Sequence, residues 1–286
     1  MNNSNEYPLN KRLLHVRIEP PHSWQPINLK EIWQHRDLFF NLVWRDIRVQ
    51  YINTGIGLLW AVLEPLTMTL ILTLILGAFT RLPLQDSEIP YNLIVLSGMV
   101  CWVYFSKSIS SASNSVLANF SLFSKVYLPR IILPVVPIIV GLVDLAVLLV
   151  VFIASLLFQG LAPNVRWLFI PALVVVLIIF SLGMALWISA LNVPYRDIGR
   201  MLPLVLQIGF YASPVFYPFS IVQPPLKWIA MLNPMAGIIS FARWLFFNQQ
   251  PFPVIEFVVT LIASILLVIS GAFVFRRIED RFVDIG

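Results

Sequence analysis

Charge is scarce in this sequence. Only 12% of its 286 residues are Asp, Glu, Lys or Arg, against 59% apolar, whereas soluble domains hold about 25% charged residues. A chain with so few ionic groups cannot clothe a water-facing surface. Cysteine is scarcer still. Cys101 is alone, which excludes an intrachain disulfide and a thiolate metal site. The three histidines, His15, His22 and His35, precede the first long apolar run and lack the spacing of a metal cluster. No GxxxxGK[ST] occurs, so ATP hydrolysis by a P-loop of its own is excluded, and GxGxxG, HExxH and GxSxG are missing too. Residues 1–30 are polar, with no apolar core of a secretory signal, so the first apolar run is expected to be retained.

What is present is hydrocarbon. Mean hydropathy is +0.85. A spanning helix needs roughly 20 apolar residues, because about 30 Å of hydrocarbon is crossed at 1.5 Å per residue. Six runs qualify, at 58–80, 91–109, 132–158, 168–191, 201–217 and 254–275. The fifth is short and bounded by Pro203 and Pro214. Of the 19 Lys and Arg residues, all but Arg81, Arg166, Lys227 and Arg243 fall on one side of these runs. Basic residues mark the cytoplasmic side, so both termini are predicted to be cytoplasmic. The net charge of +5 is then a matter of topology and not a sign of nucleic-acid binding. The fold expected is an all-α integral membrane protein, organised as a polar extension (1–27), an amphipathic segment (28–50) and a six-span domain (51–286).

Residues 28–50 carry Leu29, Trp33, Phe40, Val43 and Ile47 at helical steps, with Arg36 interrupting the stripe. Asn28 and Glu31 fit a capping box. Such a helix lies in the bilayer interface with its cations toward lipid phosphates, or else docks on protein. Residues 110–130 form the longest cytoplasmic connection. Leu117, Phe120, Phe123, Val126 and Tyr127 recur there at helical spacing, as an apolar ridge for a soluble partner or as a loop folded onto the bundle. The outer segment 218–253 is too Pro-broken to span and too apolar to be solvated. Two short helices broken at Asn233-Pro234 are predicted, as re-entrant or interfacial elements, because non-helical backbone at membrane depth survives only where protein or a water-filled cavity covers it.

Glu64 and Asp144 lie inside the first and third apolar runs. Glu64, beside Pro65 near the cytoplasmic end of the first span, is predicted to face protein or a pore, beside a cation such as Arg45 or Arg130. Asp144 is expected to pair with a Ser or a backbone group of a neighbouring helix. An ion-coupled carrier would bury several such groups and show inverted repeats, and neither is found. A membrane enzyme acting on lipid-linked sugars would need clustered charge, and "YRD" at 195–197 is a single pair.

Four segments together carry a resemblance: "LVWRDIRVQYINTGIGLLWAVLEPL", "SSASNSVLANFSLFSKVYLPRIILPVVPIIVGLVDL", "LNVPYRDIGRMLPLVLQIGFYASPVFYP" and "LNPMAGIISFARW". In this order they resemble the permease subunit of ABC-2 type polysaccharide exporters, over about residues 28–275. The resemblance implies a homodimer in the cytoplasmic (inner) membrane above two copies of a separate ABC ATPase subunit. ATP and Mg would reside on that partner, with no cofactor or metal on this chain. It implies a coupling helix at about 114–126, involving Asn114, Leu117, Phe120, Phe123 and Lys125. It implies periplasmic gate helices between spans five and six, with Asn233, Pro234 and Trp244 at the gate. The cargo it implies is a glycan, often on a lipid diphosphate, rather than the drug or lipid of other ABC-2 exporters. Lys30, Arg45 and Arg48 are candidates for that diphosphate or for phospholipid. Trp60, Trp102, Tyr104, Phe105, Tyr211, Phe216 and Tyr217 are candidates for packing against a sliding sugar chain, or for an interfacial belt and bundle packing.

Overall fold

In a bilayer every backbone polar group needs an internal partner, and a helix supplies one within its own segment. The chain follows that rule. The computed structural model describes residues 33–52, 55, 57, 59–79, 89–120, 129–219, 222–223, 226–247 and 251–279, and no β-strand occurs among them. In chain order come α1 (Arg36–Ile47), a π turn (Arg48–Ile52), α2 (Leu59–Phe79), α3 (Tyr91–Ala118), α4 (Ile132–Phe158), a 3-10 turn (Val165–Phe169), α5 (Ile170–Asn192), α6 (Asp197–Ala212), α7 (Leu226–Met231), α8 (Pro234–Phe246) and α9 (Val254–Glu279).

Four of these are long and apolar enough to cross a membrane: α3, α4, the continuous Val165–Asn192 stretch ending in α5, and α9. α3 is the axial helix, enclosed along most of its length. On α9, Ile255, Val258, Ile262, Leu266, Ile269 and Phe273 form an exposed stripe at helical spacing. A stripe of that length facing water would be an aggregation hazard, whereas in hydrocarbon it is the expected outer surface. The chain is a multi-pass membrane protein. α5 and α9 pack closely where Gly183 removes a side chain, since a Cβ there would lie 2.7 Å from Leu267 Cβ and 2.8 Å from Val268 N.

The predicted second span, 91–109, ends too early. α3 continues to Ala118, so Asn114 and Leu117 belong to its last turns and not to a separate short helix. Hydropathy falls over "SSASNS" because of its hydroxyls, but these are satisfied locally. Ser113 Oγ donates to Ser110 O at 2.8 Å and Ser115 Oγ to Ala112 O at 2.7 Å, so the polar run stays helical, with Ser113 and Ser115 buried and Ser110, Ser111 and Asn114 exposed. Phe120 follows the end of α3, while Phe123, Lys125, Val126 and Tyr127 lie outside the described residues. The predicted fifth span, 201–217, ends as a helix at Ala212, where the chain turns ahead of Pro214.

α1 differs from the single stripe predicted for it. Leu42 and Val43 are buried, with Leu38, Phe39 and Ile47 packed against the same cluster. Trp33, Phe40 and Trp44 point outward. The helix is apolar on two sides, one docked on the bundle and one free. Asn28, Leu29, Lys30 and Glu31 lie outside the described residues.

Candidate functional site

Two groups of polar side chains stand out in the bundle, one at each end. At the end marked by the basic residues, α1 and its π turn, α3 and α4 enclose a cavity of about 500 Å³. Three polar ties cross it or border it. Arg45 on α1 donates from Nη1 and Nη2 to Asn119 Oδ1 at 3.3 and 3.2 Å, and its Nε donates to Asp46 Oδ1 at 2.8 Å. Asn119 in turn donates to Ser115 O at 2.8 Å, so Arg45 clips α1 to the C-terminus of α3. Lys107 Nζ on α3 lies 2.9 Å from Glu64 Oε2 on α2. Tyr51, in the π turn, turns its hydroxyl toward the carboxylate of Asp144 on α4, which is 2% exposed. Burial first, and then the Asp144 charge, push the Tyr51 hydroxyl above its ordinary pKa.

Each predicted member can now be placed. Glu64, its side chain 58% exposed, pairs with Lys107 rather than with Arg45 or Arg130, because α2 packs along α3. Asp144 has the Tyr51 hydroxyl of the π turn beside it, rather than a group of a neighbouring spanning helix. Arg45 lines the cavity, although its guanidinium is committed to Asp46 and Asn119, and a diphosphate there would have to displace both. Arg48 is exposed, with its guanidinium 5.6 Å from the centroid of the Trp44 ring. Asn192, which the sequence did not single out, is buried and joins three helices. Its Nδ2 donates to Ser113 O at 2.8 Å and its Oδ1 accepts from Gly199 N at 2.8 Å.

At the other end the organising group is Arg243 on α8, 3% exposed. It donates from Nη1 to Tyr217 O at 2.9 Å, and from Nη2 to Val215 O at 3.0 Å and Ile94 O at 3.2 Å. Its Nε reaches Ser97 Oγ at 3.4 Å. A buried charge is costly without partners. Here the partners are mostly carbonyls, two of them in the turn after α6. That turn rests on α3 only because residue 98 is glycine, where a Cβ would stand 2.7 Å from Val215 Cα. Tyr91 Oη donates to Phe216 O at 2.6 Å and holds the same turn.

The break at Asn233-Pro234 is as the sequence predicts. α7 ends at Met231, and Asn233 Oδ1 accepts from Met235 N at 3.0 Å as the cap of α8. Asparagine at the N-cap and proline at the first helical position form a start signal with a mechanism. Asn233 Nδ2 also donates to Ser213 Oγ at 2.9 Å, so the α7–α8 break and the end of α6 are one knot. Trp244 stacks on Phe241, with ring centroids 5.8 Å apart, beneath the Arg166 guanidinium at 4.9 Å.

The aromatic candidates separate. Tyr211, Phe216 and Tyr217 gather at the end of α6, with neighbouring centroids 5.0–6.0 Å apart. Trp60 is exposed on α2. Trp102, Tyr104 and Phe105 are buried in the main core, which corrects their assignment as sugar contacts. Tyr104 Oη donates to Ile138 O at 3.1 Å, and Phe105 stacks on Phe180 at 5.0 Å. Tyr104 and Phe105 thus face α4 and α5, while Trp102 packs on Phe210 of α6 with centroids 5.7 Å apart, so packing and not a passing chain accounts for them.

No group of three or more potential metal ligands occurs among the described residues. With neither a metal cluster nor a nucleophile–base pair in view, these polar groups read as ties between helices. Residues 37–247 match the family described as ABC-2 type transporter. Among known proteins, the chain is similar to an O-antigen export system permease protein RfbA of Klebsiella pneumoniae, 28% identical over 251 residues, covering 87% of this chain and 95% of that one. It is similar to an RfbA of Myxococcus xanthus, 25% identical over 259 residues, covering 90% and 98%. It is also similar to a polysialic acid transport protein KpsM of Escherichia coli, 26% identical over 205 residues, covering 70% and 77%.

Proposed function

Because this chain belongs to the ABC-2 type transporter family, we propose that it is the transmembrane subunit of an ATP-driven exporter moving a polysaccharide or lipid-linked glycan across the cytoplasmic membrane. The observation that carries this reading is the likeness to O-antigen export permeases over nearly the whole of both chains. A shared fragment would speak for a common module, whereas end-to-end likeness favours a common task.

The motor is a separate ABC ATPase, two copies of which carry ATP and Mg, since the sequence holds no P-loop. Six helices span, with α2 and α6 completing the set. Both lean on α3 and leave apolar faces bare: Leu63, Leu66, Leu70 and Leu74 on α2, and Met201, Leu204, Val205 and Ile208 on α6. A second copy of the chain is the partner for those faces. The glycan passes between the copies, where Trp60, Tyr211, Phe216 and Tyr217 offer weak, repeated ring contacts. The region after α3, through Phe120, Phe123 and Lys125, seats in the ATPase. Arg45 clips α1 to Asn119 just after the end of α3, so movement there reaches α1. α7 and α8 are re-entrant periplasmic elements guarding the exit, with both chain termini in the cytoplasm. An ATPase can shift such a gate only by its differential affinity for the two states.

The experiment is removal and rescue. Cells lacking this chain should accumulate lipid-linked glycan on the cytoplasmic face. The chain should co-purify with an ABC ATPase, and rescue should fail when that ATPase's P-loop lysine is changed. Accumulation of a drug or a plain lipid instead would transfer the reading to another branch of ABC-2 exporters.

A further inference from the structure

The N-terminal half of α1 borders a second opening, a groove of about 390 Å³ whose exposed lining is entirely apolar. Trp33, Phe39 and Phe40 form one wall, and Val135 of α4, Leu182 of α5 and Val268 of α9 stand on the other. Apolar cavities of about 150 Å³ stay dry and take up hydrocarbon guests, so a larger one at a membrane surface favours hydrocarbon over water. Among the described residues on its border, only Arg36 is charged.

Arg36 is the residue that interrupts the apolar stripe of α1. Its nearest carboxylate is Asp37 at 3.7 Å, with both side chains more than half exposed, and such a pair contributes little. The guanidinium rests 5.7 Å from the centroid of the Trp33 ring, beside the groove and free to take an anion. A planar fork of donors suits a phosphate. The chain's own N-terminal extension is a poor occupant. Residues 1–27 are polar, and Lys11, Arg12 and Arg17 outnumber Glu6 and Glu19, so they offer neither a long hydrocarbon chain nor net negative charge.

We infer that this groove binds one anionic phospholipid, with an acyl chain between α1 and the α4–α5–α9 wall and its phosphate on Arg36. The lipid fills the space under α1 and holds that helix at the bilayer surface. This inference requires only that the chain sits in a membrane, so it stands or falls apart from the cargo.

The test is photolabelling of the full-length chain in phosphatidylcholine vesicles. These carry a trace of either phosphatidylglycerol or phosphatidylcholine with a diazirine on the acyl chain. Adducts are mapped by peptide mass spectrometry. Adducts on Val135, Leu182 or Val268 should be about fivefold more frequent from phosphatidylglycerol, the preference expected of one interfacial cation. Arg36→Ala should bring the two lipids to parity, Arg36→Lys should retain most of the preference, and Leu182→Trp should reduce labelling by both. Equal labelling of the unaltered chain by the two lipids overturns the inference, as does the absence of adducts at those positions. Labelling that emerges only after residues 1–32 are removed also overturns it, because the chain's own segment then fills the groove.

Discussion

Arg243 ties together three parts of the chain that are far apart in sequence. It is also a residue whose sequence context misleads. Counted among loop cations, it reads as an outward-facing charge. Buried, it is a four-way donor to Ile94, Ser97, Val215 and Tyr217. Arg243→Met keeps much of the volume but deprives the Val215 and Tyr217 carbonyls of their donor, and should cost roughly 1–3 kcal/mol for each group so orphaned. Thermal unfolding in detergent checks this, and Arg243→Lys should recover only part, because one ammonium cannot reproduce the fork. At the opposite end, Lys107 and Glu64 are partly exposed, so their pair is worth at most about 1 kcal/mol. Lys107→Glu should impair export by like-charge repulsion at α2–α3, and the double exchange with Glu64→Lys should restore it. A double exchange no better than the single change would contradict the contact. For Tyr51 the sign is upward, because burial and the Asp144 charge both disfavour the phenolate. Ultraviolet titration of the intact protein against its Tyr51→Phe variant should therefore show no ionisation step from Tyr51 up to the ordinary tyrosine value of 10.

Among the elements, the α7–α8 break depends on Asn233, which caps α8 and holds the end of α6. Asn233→Ala removes the cap, a loss of about 1 kcal/mol, along with the bond to Ser213. It should lower the melting temperature and shorten amide-exchange protection at the start of α8, while Asn233→Asp, which keeps the capping oxygen, should lose less. This element was legible in the sequence because its signal is local, an N-cap residue followed by proline. The long helices were legible for a similar reason, since hydropathy accumulates along each one. The end of α3 was not, because Ser113 and Ser115 look solvent-seeking until their hydroxyls are seen bonded one turn back. The two sides of α1 were also hidden. Which side of an apolar helix docks depends on the neighbours, and Leu42 and Val43 face α4 residues some ninety positions away. The same reason kept Asp144–Tyr51 and Lys107–Glu64 out of reach, since each partner sits on a different helix. The buried Trp102, Tyr104 and Phe105 show the converse. An aromatic cluster in a span announces packing and sugar contact alike, and only the fold separates them.

Taken whole, the molecule divides its polar groups between two ends of an apolar bundle and holds no catalytic constellation among the described residues. The central claim is that this chain is a conduit whose motion is powered by a different polypeptide. The direct measurement is translocation of radiolabelled lipid-linked glycan across proteoliposomes, made with the purified chain alone or together with its ABC ATPase. The account predicts that glycan moves only when ATPase and ATP are both present, and that a proton gradient applied to the chain alone moves none. Translocation by the chain alone under that gradient would contradict it.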